Sequence, residues 1–167
     1  MTKLTELLGI VLRRELASLR REVESYPDDA SVWTTPPGIS NATGNLALHC
    51  AGNLQHFFGA RIAGESYVRN RDAEFARRDA SRAELLAEID RAADSVEHAL
   101  PLIDDTRLAS TFPEQFGGKE VRTDVFLLHL AVHLAYHLGQ VDYHRRLTTG
   151  DSTTLGTVAV SALPAAN

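Results

Sequence analysis

Three histidines recur every four residues in the run His129-Leu-Ala-Val-His133-Leu-Ala-Tyr-His137-Leu-Gly-Gln140. An α-helix advances about 100° per residue, so a step of four returns to nearly the same face about 6 Å further along. Neighbouring imidazoles in such a row can reach one small volume, which is how a single helix presents two ligands to a metal ion. A lone histidine is ordinary at the edge of a core. Three of the chain's seven on one stripe favour a metal site. A second polar stripe, Asn45, His49, Asn53 and His56, follows steps of four, four and three. If it faces inward, each group needs a partner, because burying an unpaired polar group is costly. A metal or a hydrated cavity would supply one.

The elements that must position these groups read as four amphipathic helices. Leu4, Leu8, Leu12, Leu16, Leu19 and Val23 recur at steps of three or four over residues 3–25. Tyr26-Pro27 ends that helix, and Pro36-Pro37-Gly38 keeps the next stretch a loop. Trp33 there is expected to plug one end of the bundle. Asn41 or Thr43 can cap a second helix to about Ile62, with Leu46, Cys50, Leu54, Phe57 and Phe58 apolar. Cys50 is expected to pack as a small core residue. Ser81-Arg-Ala-Glu84 matches a capping box and opens a third helix with Leu85, Ile89, Ala92, Val96 and Leu100 inward. His98 on it reads as surface. Thr123 is expected to cap a fourth helix ending near Arg146 or Leu147, with His133, His137 and His144 along the inner edge of its apolar face.

Between these helices lie two long connections. Residues 64–80 carry charges of both signs. Arg69, Arg71 and Arg77 can present an anion site, but are expected to pair with Asp72, Glu74 and Asp79 on the surface. Gly117-Gly118 is a turn signal whose flanks can pair as a short hairpin between helices three and four. The chain thus reads as an all-α four-helix bundle over residues 1–147. A tail over 148–167 follows, its Leu155–Val160 stretch expected to be extended and its last residues disordered.

Composition narrows the function classes. The net charge of −5 gives no electrostatic reason to expect a nucleic-acid partner. The arginine bias, with only Lys3 and Lys119 as lysines, reads as genomic composition. No apolar run approaches the roughly 20 residues of a membrane helix. A single cysteine excludes an intrachain disulfide, and the N-terminus has no signal-peptide core, so a cytoplasmic protein is expected.

Within the bundle, His133 and His137 flank the apolar row better than His129, and His49 is the best third ligand from helix two. Three imidazoles leave positions open for water or substrate. Zinc, nickel, iron or copper all suit such donors. Gln140 can orient a ligand from behind.

His133-Leu-Ala-Tyr-His137-Leu-Gly-Gln140 resembles the H-x-x-x-H-x-G-Q motif of the DinB/YfiT-like superfamily, and Asn45-Leu-Ala-Leu-His49-Cys-Ala-Gly-Asn53 resembles the segment around that family's first metal histidine. Arg69-Asn-Arg-Asp-Ala-Glu-Phe75 resembles a segment of one uncharacterised branch. The resemblance spans roughly residues 1–147. It implies an up-down-down-up bundle, often a homodimer, with a divalent ion on His49, His133 and His137. Zinc or nickel comes first and iron next, with Asn53, His129 and Gln140 in support. Some members of that family are transferases or isomerases using a low-molecular-weight thiol such as bacillithiol, mycothiol or glutathione, so a metal-dependent thiol S-transferase on an electrophilic substrate, or a hydrolase, is expected. The alternative is a non-catalytic metal- or ligand-binding or dimerisation bundle.

Overall fold

The leucine row of the N-terminal segment forms α1, Lys3–Glu24, and buries Leu8, Leu12, Leu16, Leu19 and Val23. The computed structural model describes residues 3–155 and 159–163. Helix α2, Thr43–Leu54, continues as a wider π-helical turn, Gln55–Ala63, until Gly64 stops it in the left-handed conformation at φ 74°. Then come α3 (Arg71–Ala76), α4 (Arg82–Ala99), α5 (Asp105–Ala109) and α6 (Thr123–Thr149). Helix α1 packs on α4 and α6, and α2 packs on the same two, so the four long helices enclose one core.

The sequence anticipates the helical class and one cap well, and several local details less well. Ser81 and Glu84 form the reciprocal capping box that opens α4. By contrast, α2 and α6 start after Ala42 and Arg122, neither with a side-chain cap. Thr43 is spent elsewhere: its Oγ1 lies 2.6 Å from the Tyr26 hydroxyl. That hydroxyl also meets His144 Nδ1 at 2.7 Å, while His144 Nε2 donates to the Thr34 carbonyl at 2.8 Å. His144 is therefore a neutral strut tying α6 to α1 and the 31–42 loop, and burial lowers its pKa.

The hairpin expected before α6 is reduced to two isolated antiparallel bridges, Thr111 to Arg122 and Phe116 to Lys119. There is no strand among the described residues. Pairing stops early because the segment's work is packing: Phe112 and Phe116 meet Phe57 and Phe126 at ring separations of 4.5–5.9 Å. Trp33 plugs as expected, lying on the Cβ-free face of Gly44 and donating from Nε1 to the Ala80 carbonyl at 2.9 Å. Cys50 is buried, and burial pushes its thiol up to about 12.

Helix α6 runs two residues past its expected end, stopping where Gly150 turns left-handed at φ 73°. The following residues are held by Arg145, which is fully buried. Its Nε donates to Glu22 at 2.5 Å and its Nη2 to the Thr153 carbonyl at 2.7 Å. A buried guanidinium needs such partners to offset its lost hydration. The Leu155–Val160 stretch lies partly outside the described residues, and residues 164–167 lie wholly outside. No helix among the described residues is long and apolar enough to cross a membrane.

Candidate metal centre

The two polar stripes face each other. Helix α2 brings His49 from one side and α6 brings His133 and His137 from the other. The Nε2 atoms of His49 and His133 are 3.2 Å apart, as are those of His133 and His137. One ligand atom from each of the three lies within 4.8 Å of the others. His49 is buried and the α6 pair half-buried, so the cluster sits at the floor of an opening rather than deep in the core.

The opposite ring nitrogens fix the tautomers. His49 Nδ1 donates to Glu74 Oε2 at 2.9 Å, and His137 Nδ1 donates to Gln140 Oε1 at 2.7 Å. Both partners are acceptors, so both Nε2 atoms carry lone pairs. His133 Nε2 faces the two of them and can bring at most one hydrogen. Two acceptor nitrogens and a third that brings at most one hydrogen thus converge on one point. Two nitrogens bound about 2.0–2.1 Å from one tetrahedral ion lie roughly 3.3 Å apart. The observed 3.2 Å spacings fit that geometry. Burial lowers the pKa of His133 to about 4, with His137, His49, His129 and Arg69 adding to the effect. Burial likewise lowers His137, against the opposing bond to Gln140. Both rings are held neutral, as ligands must be.

Behind His49 stands a charge pair that the sequence reading places on the surface. Arg69 donates from Nε to Glu74 Oε1 at 2.7 Å and from Nη2 to Oε2 at 2.9 Å. The Glu74 carboxylate is buried against Gly52, where a Cβ would collide with Oε1. Arg69 Nη2 also lies 3.2 Å from His49 Nδ1, since both donate to one oxygen. Burial works to raise the Glu74 pKa, but the bonds from Arg69 and His49 outweigh it and hold the carboxyl ionised. The expected surface pairing is therefore wrong for Arg69 and Glu74, and it holds for Arg77 and Asp79. Residues 64–80 are also not simply a connection. Asn70 caps α3, and Asn45 Nδ2 pins the segment by donating to the Glu74 and Arg77 carbonyls at 2.9 and 3.1 Å. Arg71 lies over the Phe75 ring at 5.1 Å to its centroid.

The other expected residues fall outside the cluster. His129 is exposed, its ring 6.0 Å from that of His133 and stacked on Phe126 at the same separation. Asn53 is buried, and its Oδ1 has no hydrogen-bond partner among the described residues. His56 turns to Glu114, with Nε2 and Oε2 2.9 Å apart. His98 is exposed, with Nδ1 3.0 Å from Glu65 Oε1. Above the three histidines opens a cleft of ≈ 730 Å³ whose rim carries Asn41, Arg71, Asp72 and Phe75.

Comparison with known proteins follows the same lines. No curated protein matches the chain. A crystal structure of a conserved protein from Enterococcus faecalis is similar in fold, with a TM-score of 0.68 at 21% identity over 90% of this chain and 100% of the other. A sequence profile of the DinB superfamily matches residues 12–141, well over half of the chain. The chain belongs to the DinB superfamily.

Proposed function

We propose that this protein binds one divalent ion through Nε2 of His49, His133 and His137. On an up-down-down-up bundle, it would use that ion as a thiol S-transferase or hydrolase on a small thiol and an electrophilic substrate. The observation that carries the reading is the convergence of three Nε2 atoms, with His133 3.2 Å from each of the other two and at most one hydrogen between them. Imidazole donors accept zinc, nickel or iron, with zinc or nickel taken first. Such an ion supplies Lewis acidity, which makes a thiol or water nucleophilic near neutral pH.

The chain's own residues do the positioning. Glu74 and Gln140 hold the protons of His49 and His137 on Nδ1, so both Nε2 atoms face the cleft. Arg69 keeps Glu74 anionic. Arg71 and Asp72 give the rim one charge of each sign, which suits a thiol that bears both an ammonium and a carboxylate. The single thiol, buried on α2, fits a reducing cytoplasmic setting. Cobalt-substituted protein tests the open positions: adding glutathione or cysteine should perturb the visible ligand-field bands and add a sulfur-to-cobalt charge-transfer band. A spectrum unmoved by saturating thiol would contradict thiol use and favour a non-catalytic bundle.

One observation favours association with a second copy. Val125, Leu128, Val132, Tyr136, Tyr143 and Leu147 are all more than half exposed on the outer face of α6. None of the exposed residues between 125 and 147 is Asp, Glu, Lys or Arg; Asp142 and Arg146 are only partly exposed and pair with each other. The stripe extends about 33 Å at the helical rise. Gly139 interrupts it with open space around its Cβ position, where two helices can approach closely. An exposed apolar stripe is normally covered, and a homodimer through the 125–136 part of α6 would cover it while leaving Tyr143 and Leu147 open. Sedimentation should show a dimer that Val132→Asp converts to a folded monomer; a monomeric parent protein would rule the dimer out.

A further inference from the structure

A second cavity adjoins the histidine cleft, and nothing in the chemistry above uses it. It holds ≈ 390 Å³, within the range of small-molecule pockets, about 300–1,000 Å³. Ile39, Asn41, Leu46, Gln140, Tyr143 and Leu147 line it, with no Asp, Glu, Lys or Arg. Two of these residues tie it to the site. Asn41 lines both cavities, and Gln140 forms one wall while its Oε1 accepts from His137 Nδ1. Of the other polar groups of the wall, Ser40 adds an uncharged hydroxyl from the loop and His144 is already committed to Tyr26 and Thr34. The two cavities thus differ in chemistry: the histidine cleft has a charged rim, and its neighbour is neutral and mostly apolar.

We infer that this neutral cavity is the subsite for the uncharged acyl or aryl body of the substrate, whose donor head reaches the three histidines past Asn41. The inference rests on the metal-centre reading and specifies the substrate class for it: a molecule with a coordinating head and a neutral apolar portion. A charged thiol would stay in the outer cleft with Arg71 and Asp72. Apolar contact makes each methylene placed in the cavity worth about a fourfold gain in affinity.

Straight-chain hydroxamates test this, because the head chelates divalent ions while the chain length varies. Zinc-loaded protein titrated calorimetrically with acetohydroxamate and then hexanohydroxamate, four methylenes longer, should show affinity rising about 250-fold. Ile39→Asp places a charge in the cavity from a partly exposed loop position. Ser40→Trp, also on the exposed loop, should fill it. Both variants should flatten the series while acetohydroxamate binds as before. A flat series in the parent protein, with acetohydroxamate still bound, overturns the subsite and leaves the metal centre standing. A rising series that survives both variants also overturns it. Failure of acetohydroxamate to bind at all removes the metal-centre reading and the subsite with it.

Discussion

Replacing His133 with alanine is expected to lower divalent-metal affinity about a thousandfold or more while leaving the metal-free protein as stable as before. His133 is the hub of the cluster, the only one of the three whose Nε2 approaches both others at 3.2 Å. Binding free energies of about 10–16 kcal/mol at structural zinc sites, spread over three or four ligands, make each ligand worth several kcal/mol. The fold should tolerate the change. Helix α6 is held by Leu127, Leu130, Leu134, Leu138 and Val141, all buried, whereas His133 is half-exposed and pressed against acceptors it cannot satisfy. The metal-free free energy of unfolding should change by no more than about 0.5 kcal/mol. The stabilisation gained on adding zinc, which follows the logarithm of ligand over dissociation constant, should vanish. A variant that kept its zinc-dependent rise in melting temperature would show that the ion sits elsewhere.

Glu74→Gln should weaken metal binding by about 10–100-fold, although Glu74 touches no ion in the proposed arrangement. The amide can accept from His49 Nδ1, but it cannot also take both guanidinium bonds of Arg69 or balance its charge. His49 would lose both its fixed orientation and the basicity lent by a carboxylate behind it. The fold should also lose about 1.5–3 kcal/mol, the worth of hydrogen bonds to a charged group. Competition against a chelator of known affinity measures the first effect and chemical denaturation the second. Unchanged affinity beside a clear loss of stability would mean the pair only anchors α3 to α2.

Glu74 also marks how far the sequence could be read. The four helices follow from apolar periodicity, and the His133–His137 pair from one helical turn, because both depend on local spacing. His49 needed more: the polar stripe of α2 singled out a face, its mid-helix place made it the best third ligand, and the resemblance of the Asn45–Asn53 segment to a family motif pointed to the same residue. Glu74 and Arg69 were invisible because residues 64–80 alternate in charge, and an ion pair there looks the same in sequence whether buried or solvated. Gly52, which leaves room for the carboxylate, and Asn45, which ties down the Glu74 and Arg77 carbonyls, decide that it is buried. Both act across about 20 to 30 residues, and no local pattern records that. The π-helical turn over Gln55–Ala63 was equally hidden. Within it His56 faces Glu114, though a regular step from Asn53 puts it on the stripe of His49.

The most direct measurement is metal content. Protein purified without a histidine tag and dialysed against metal-free buffer would be analysed for zinc, nickel and iron, before and after loading with each. About one ion per chain is expected, falling to background in the His133→Ala variant. Less than about a tenth of an ion per chain, with no uptake on adding zinc or nickel, would contradict the assignment of His49, His133 and His137 as a metal centre.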